Sequence, residues 1–193
     1  PDRYLALVGN LPIGTDEFAG LIDRFSKDSR FVGLRMRDRP GGDAFFTDAV
    51  WRDLAILEEK GLSLDVLINN FSIDEVTEVA KRLPDLKIMI NHLGGLNISN
   101  DPFDEKWKEA MEKAALHENV YCKVSGIFQR AGVNPTPKNR SFYSPVFKVV
   151  FDAFGEDRIV YGSNWPVTDR GGSYAEQLNI IRGYFNPPVM RLK

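Results

Sequence analysis

Six short apolar runs, separated by stretches with helical periodicity, constrain the fold of this chain more than any other feature. Each run is nearly continuously apolar, as is typical of a strand buried on both faces of a parallel sheet. Strands that alternate with helices in this way predict an α/β fold with parallel strands. The runs are Tyr4–Val8, Phe31–Met36, Leu64–Ile68, Lys87–Asn91, Val120–Val124 and Arg158–Tyr161.

The residues between the runs carry the start signals of helices. Ser72–Glu75 and Ser173–Glu176 have the capping-box pattern, in which a serine is followed three residues later by a glutamate. Thr15 is predicted to cap the first helix. Ser144 is predicted to cap another helix, with Pro145 at its first helical position.

One long irregular stretch, residues 128–143, follows the fifth predicted strand. Such a stretch in a compact domain is usually functional or mobile, so it is predicted to be either a lid or an exposed mobile loop. Arg37 and Arg39 are predicted to be solvated or to belong to a lid.

The composition excludes several classes of protein. A chain of 193 residues predicts one domain, and a net charge of -2 gives no reason to expect a nucleic acid or an anionic membrane as partner. No apolar stretch is long enough to span a bilayer. The single cysteine, Cys122, rules out a disulfide within the chain and fits a reducing, cytoplasmic location. We expect a small-molecule substrate, and a homo-oligomer is possible.

Polar side chains occur at the ends of four predicted strands. They are Arg35, His92, Lys123 and Asn164. In a barrel of parallel strands the carboxyl ends of the strands share one mouth, where the chemistry takes place. An ammonium group is costly to bury unpaired, so Lys123 is expected to face a polar cavity or a carboxylate.

Each of these residues also has a purely structural interpretation. His92 could be a core histidine bonded to the backbone, Arg35 part of a structural ion pair, and Asn164 the cap of a turn. In a purely structural alternative, the four polar side chains only form hydrogen bonds with one another and bind no ligand. Together they favour a site for an anionic or carbonyl-bearing small molecule, because Arg fits carboxylates and His and Lys fit an oxyanion or a proton transfer. His117 is expected at the surface.

Several motifs resemble the amidohydrolase-2 branch of the amidohydrolase superfamily. They are Asn91–Gly95, Val120–Gly126, Gly162–Val167 and, in a shorter match, Val32–Arg35. The motifs occur in the order and spacing of that branch. Its members are TIM-barrel hydrolases and include sugar-lactone hydrolases and 2-pyrone-4,6-dicarboxylate lactonase.

This resemblance implies a (β/α)8 TIM-type barrel, of which about six of the eight β/α units are represented here. Residues 1–193 would form a single hydrolase domain, with His92, Lys123 and Asn164 on the last three barrel strands. The first strand in the family carries His-x-His, and this sequence has no such pair. We therefore expect the domain to be incomplete at its N-terminus and abbreviated near its C-terminus.

The resemblance also implies an activity, the hydrolysis of a small lactone derived from a sugar acid. His92 and Lys123 would polarise the carbonyl and stabilise the oxyanion, and Asn164 would be the third catalytic residue. Arg35 would bind a carboxylate or hydroxyl of the substrate, and Trp165 would form a wall of the pocket.

Asn164 departs from much of the superfamily, which has an aspartate at this position. An amide cannot accept the proton of an attacking water at neutral pH, so Asn164 is expected to orient water or substrate. Asp169 is expected either to replace the aspartate that much of the superfamily has at position 164 or to be a solvated loop residue.

A metal site is not expected from this chain, because a binuclear site of this family needs the missing His-x-His. Zinc or manganese becomes possible if such histidines precede Pro1. Two alternative functions remain open. One is a metal-dependent decarboxylase or amide hydrolase of the same superfamily, and the other is a non-catalytic barrel that binds a sugar acid.

Overall fold

The computed structural model describes residues 5–36, 45–68, 71–99 and 104–185, so Arg37 and Arg39 lie outside the described residues. Parallel strands alternate with helices, as predicted, and a strand lies in each predicted run. The strands are β1 Leu7–Gly9, β2 Phe31–Met36, β3 Ser63–Val66, β4 Ile88–Ile90, β5 Val120–Ser125 and β6 Ile159–Gly162. The helices are α1 Phe18–Phe25, α2 Asp48–Glu59, α3 Ile73–Arg82, α4 Glu105–Ala115, α5 Ile127–Arg130, α6 Arg140–Phe154 and α7 Tyr174–Phe185.

The contacts between Cα atoms divide the chain into two compact units. Unit 1 comprises Pro1–Ile90 and His117–Val120, and unit 2 comprises Asn91–Leu116 and Tyr121–Lys193. The prediction of one domain over residues 1–193 stays a prediction. No helix within the described ranges combines the length and apolar character needed to cross a bilayer.

Unit 1 is a parallel sheet whose strands follow one another in the order β1-β2-β3-β4. Leu34, Leu64 and Ile88 are fully buried in its core, as expected for strands covered on both faces. The edge strand β1 differs, because Leu7 and Val8 remain 47% and 40% exposed.

Unit 2 contains the parallel pair β5 and β6. Lys123 is in register with Val160, and Ser125 is in register with Gly162. Because side chains alternate across a strand, these four residues lie on one face of the pair. Helices α4, α6 and α7 belong to this unit.

Two capping predictions are confirmed and one is wrong. Ser72 forms the full capping box of α3, and Ser173 exchanges the corresponding hydrogen bonds with Glu176 at the start of α7. Thr15 does not cap α1, because its hydroxyl donates to the carbonyl of Pro12 at 2.8 Å. The N-cap position belongs to Glu17, two residues further on.

The predicted start of α6 at Ser144 is also wrong. The helix begins at Arg140, so Pro145 lies inside it and cannot donate the backbone hydrogen bond of that position. The added first turn buries Phe142 and Tyr143, which are 8% and 0% exposed. Burial of two aromatic side chains offsets the hydrogen bond that proline omits.

The predicted irregular stretch is correspondingly shorter, because α5 and α6 leave only residues 131–139 between them. Tyr143 donates to the carbonyl of Pro137 at 2.8 Å. Lys138 donates to the carbonyl of Gly171 and lies 4.0 Å from the centre of the Phe128 ring. The segment is therefore anchored at several points, and its role as a lid stays a prediction.

Asn119 caps the C-terminal end of α3. Its amide nitrogen Nδ2 lies 2.9 Å from the carbonyl oxygen of Leu86, 3.0 Å from that of Leu83 and 3.4 Å from that of Ala80. The last carbonyls of a helix have no partner within the helix, so this amide replaces water for them.

We expect Asn119→Ala to lower the free energy of unfolding by about 1–3 kcal/mol, because buried carbonyls would lose their donor. Asn179→Ala, at an exposed position of α7, is the matched control and should change stability by less than about 0.5 kcal/mol. Urea denaturation measures both. Equal losses for the two variants would contradict the capping role.

Candidate active site

Unit 2 brings three of the predicted site residues into one group of polar side chains. A Cβ atom placed on Gly126 would lie 3.2 Å from Nδ1 of His92 and 3.3 Å from Nδ2 of Asn164. A Cβ atom on Gly162 would lie 3.2 Å from Cδ of Lys123. We call this group the unit 2 cluster, and its members are Asn91, His92, Lys123, Ser125, Gln129 and Asn164.

His92 begins a left-handed turn. The residues His92–Gly95 all have positive φ, from 52° to 73°. For a residue with a side chain this conformation costs about 1–2 kcal/mol. The turn is held by the indole N–H of Trp107, which donates to the Leu93 carbonyl at 2.8 Å, and by Arg130, which donates to the Gly95 carbonyl at 3.0 Å. Burial lowers the pKa of Arg130 below its ordinary value.

The imidazole of His92 contacts Ser125, the last residue of β5. Nδ1 of His92 and Oγ of Ser125 are 2.7 Å apart, and Ser125 is 1% exposed. Sequence reasoning missed Ser125 as a site residue. The alternation of side chains along β5 could have found it, because Ser125 lies two residues after Lys123 and on the same face.

Lys123 has the polar surroundings that its place in an apolar run predicts. Its ammonium group donates to Oδ1 of Asn91 at 2.7 Å, and Asn91 is 1% exposed. Gly162 leaves room for the aliphatic part of Lys123 on the neighbouring strand. Asn91 was not predicted as a site residue, although it directly precedes His92.

Two hydrogen bonds set the orientation of the Asn164 amide. Nε2 of Gln129 donates to the backbone carbonyl of Val167 at 2.6 Å, so its Oε1 faces Asn164. Oε1 then accepts from Nδ2 of Asn164 at 3.3 Å. The other amide atom of Asn164, Oδ1, is thereby directed away from Gln129 as an acceptor.

The backbone of Asn164 is held as well. Its φ of 54° is in the left-handed region, which asparagine tolerates better than most residues. Thr168 and Gln177 are both fully buried, and their side chains donate to the carbonyl of Ser163 at 2.5 Å and 2.8 Å. The backbone N–H of Thr168 donates to the carbonyl of Asn164 at 3.2 Å.

Arg35 belongs to unit 1 and lies on β2 in register with Asp65 of β3. Its Nη2 is 3.5 Å from Oδ2 of Asp65, so the ion pair that the sequence left open is present. Nε of Arg35 is buried and has no hydrogen-bond partner within the described parts of the chain.

Three other predicted positions are exposed or partly exposed. Trp165 follows Asn164 directly and keeps 67% of its surface exposed. Asp169 is exposed, in the turn after β6, and His117 is half-buried, outside unit 2.

Neither a reactive thiol nor a complete metal site is found among these residues. Burial raises the pKa of the Cys122 thiol well above its ordinary value, so it stays protonated and is not a nucleophile. No group of three or more His, Cys, Asp or Glu side chains in the described ranges is arranged to hold a metal ion.

Comparison of the sequence with known proteins identifies its relatives. A family model described as amidohydrolase (Amidohydro_2) matches residues 1–184. An L-fucono-1,5-lactonase of Burkholderia ambifaria is 29% identical over 180 residues, which are 89% of this chain and 58% of that protein. An L-rhamnono-gamma-lactonase of Scheffersomyces stipitis is 36% identical over 105 residues, which are 48% of this chain and 31% of that protein.

Comparison of the structure supports the same fold. A crystal structure of an amidohydrolase from Burkholderia multivorans with bound HEPES has a TM-score of 0.83 at 22% identity, covering 96% of this chain and 67% of the other. A second crystal form with bound zinc has a TM-score of 0.80 at 23% identity, covering 95% and 66%. These matches confirm the α/β class and the partial TIM-type barrel.

We expect Gly126→Ala to destabilise the protein more than Gly61→Ala does. Both glycines have a φ of 65°, so an added methyl group strains both backbones. At Gly61 the methyl would meet nothing within 4 Å, whereas at Gly126 it would crowd His92, Asn164 and Gln129. The difference in the free energy of unfolding should be about 1–3 kcal/mol. Equal losses in urea denaturation would contradict the crowding.

Proposed function

The chain belongs to the amidohydrolase family, and on this basis we propose that the protein hydrolyses a small lactone derived from a sugar acid. The observation that carries the proposal is the presence of an imidazole, an ammonium and an oriented amide within the unit 2 cluster. The two lactonase relatives support it. The chain spans 58% of the length of the fucono-lactonase, so the proposed activity is that of the whole protein.

Opening a lactone requires water to add to the ester carbonyl, which becomes a tetrahedral oxyanion. The bond between the carbonyl carbon and the ring oxygen then breaks, and the proton from water ends on the released hydroxyl group. We assign stabilisation of the oxyanion to Lys123 and His92, because preorganised donors aimed at developing charge supply a large part of such catalysis. Asn91 holds the ammonium of Lys123 with a hydrogen bond of 2.7 Å.

Asn164 has a different role in this proposal. Its Oδ1 can accept a hydrogen bond from the attacking water, but an amide cannot take up the proton of that water. Gln129 fixes which end of the amide is presented, through its own bond to the Val167 carbonyl. Asn164 therefore orients the nucleophile and is not the general base.

Substrate binding by Arg35 and Trp165 rests on the chemistry of their side chains. The guanidinium of Arg35 is suited to a carboxylate or hydroxyl group. The indole of Trp165 is 67% exposed and offers an apolar surface to a sugar ring.

Metal chemistry enters no step of this proposal. A related amidohydrolase has been crystallised with zinc, but no group of three or more His, Cys, Asp or Glu side chains in the described part of this chain is arranged to hold an ion. His92 is the single histidine among the members of the unit 2 cluster.

We expect Lys123→Met to lower kcat for lactone opening by about a hundredfold, because the oxyanion loses its cationic donor. His92→Ala should have a loss of similar size. Lys81→Met, at an exposed position of α3, is the control and should leave kcat unchanged. The assay follows acid release from L-fucono-1,5-lactone and L-rhamnono-gamma-lactone.

Two results would contradict the proposal. One is a wild-type protein that opens neither lactone above the uncatalysed rate. The other is turnover that survives both Lys123→Met and His92→Ala.

We expect Asn164→Ala and Gln129→Leu to affect turnover through one shared interaction. Asn164→Ala should lower kcat by about tenfold, since an oriented hydrogen bond is lost. Gln129→Leu should cause a smaller loss in kcat, because Asn164 remains. Its side-chain amide could then rotate so that Oδ1 and Nδ2 exchange places. The double variant should match Asn164→Ala alone. Multiplication of the two losses would contradict this coupling.

A further inference from the structure

We propose that the backbone N–H of Asn164 donates a hydrogen bond to the oxyanion of the substrate, and that Gln177 and Thr168 hold this N–H in place. This role rests on the proposed function and deepens it. The donor belongs to the main chain, so it is separate from the side-chain amide of Asn164. Gln177 and Thr168 lie outside the unit 2 cluster and act as positioning residues.

The carbonyl oxygen of Ser163 is held by two buried side chains. Nε2 of Gln177 donates to it at 2.8 Å, and Oγ1 of Thr168 donates to it at 2.5 Å. Gln177 and Thr168 are both 0% exposed, and a polar side chain is costly to bury unless it forms hydrogen bonds. A carbonyl oxygen has two lone pairs, so the two donors occupy both. The direction of this carbonyl is therefore fixed.

The direction of the Ser163 carbonyl determines that of the next N–H. The two groups belong to one planar peptide unit, and in the trans form they point in opposite directions. The peptide bond between Ser163 and Asn164 is trans. The N–H of Asn164 accordingly points away from Gln177 and Thr168.

Gln177 and the unit 2 cluster lie on opposite sides of β6. The side chain of Tyr161 in β6 has Gln177 of α7 among its neighbours. Successive residues of a strand face opposite sides, so Gly162 faces away from α7. A Cβ atom on Gly162 would lie 3.2 Å from Cδ of Lys123. An N–H that points away from Gln177 therefore points toward the side of β6 on which Lys123 lies.

The N–H of Asn164 is accessible to a ligand. Within the described parts of the chain, no carbonyl or side chain accepts a hydrogen bond from it. β6 ends at Gly162, so the pairing with β5 stops before this residue. Asn164 is half-buried. Backbone N–H groups in such positions bind water or a ligand, since they are strong donors.

A backbone N–H suits the oxyanion that forms when water adds to the lactone carbonyl. It is a preorganised dipole, and it needs no reorganisation when negative charge develops. In the proposed reaction it acts together with the ammonium of Lys123 and the imidazole of His92. The oxyanion accepts from the N–H of Asn164, while Oδ1 of the same residue accepts from the attacking water. Asn164 thus contributes through two separate groups.

Proton–nitrogen NMR of the intact protein, labelled with 15N-asparagine, tests the donor without turnover. The backbone signal that is lost in Asn164→Gly identifies that of Asn164. The probe is L-fuconate, the acid released from L-fucono-1,5-lactone, whose carboxylate accepts hydrogen bonds. We expect the probe to move the Asn164 proton downfield and to slow its exchange with solvent by about tenfold. The amide of Asn179, at an exposed position of α7, should not respond. No response of Asn164 up to the solubility limit of the probe would overturn the inference.

Gln177→Met tests the positioning role, because it removes the donor and keeps a side chain of similar length. It should weaken the response of the Asn164 N–H to L-fuconate. It should also lower kcat by about tenfold with little change in KM, since the charge develops after binding. Thr168→Val should act in the same direction, and Thr168→Ser should not. Ile180→Ala, at a buried apolar position of the same helix, is the control and should lower stability without either effect. An unchanged kcat in Gln177→Met, or an equal loss of kcat in Ile180→Ala, would overturn the positioning role.

Asn164→Gly separates the backbone donor from the side-chain amide. Glycine keeps the N–H and readily adopts positive φ. The loss of kcat caused by Gln177→Met should therefore have the same size in the Asn164→Gly background. Absence of a further loss there would assign the effect of Gln177 to the side chain of Asn164 and overturn the inference. Failure of the wild type to open lactones, with the NMR response present, would overturn the proposed function alone.

Discussion

The unit 2 cluster depends on the absence of a side chain at two positions. At Gly126 a methyl group would stand where His92, Asn164 and Gln129 approach one another, and at Gly162 it would meet Lys123 and Ser125. Polar side chains from different elements can approach closely here because glycine has no Cβ atom to occupy the space between them. These glycines therefore leave room for an imidazole and an amide at one point and for the aliphatic part of Lys123 at another.

The backbone under His92 is strained, and the surrounding structure holds it in place. Four successive residues with positive φ, of which two are not glycine, would not persist without support. Trp107 of α4 and Arg130 of α5 each bind a carbonyl of this turn. Strain maintained in this way is typical of functional sites, since it fixes a side chain in a direction that relaxed backbone does not offer. The same reasoning applies to Asn164, whose left-handed backbone is held by Thr168 and Gln177.

The sequence predicts the strands well, because continuous apolar runs are a local signal. His92 and Asn164 follow the ends of strands, as predicted, whereas Lys123 lies inside β5. It fails at α6, where the burial of Phe142 and Tyr143 outweighs the proline signal at Pro145. Burial is a tertiary property, so no local pattern reveals it. It also fails to identify the partners of the site residues. Ser125, Asn91 and Gln129 lie in or beside the recognised motifs, but their contacts depend on how the backbone turns after each strand.

The hydrogen bond from Gln129 to the carbonyl of Val167 has one further consequence. That oxygen belongs to the main chain, so it accepts a hydrogen bond whichever side chain is present at position 167. Only a substitution that moves the backbone would change this. The backbone carbonyl of Val167 thus sets which end of the Gln129 amide faces Asn164, and so which end of the Asn164 amide faces Gln129. Substitutions around the unit 2 cluster can therefore change its shape while the direction of these two amides is kept.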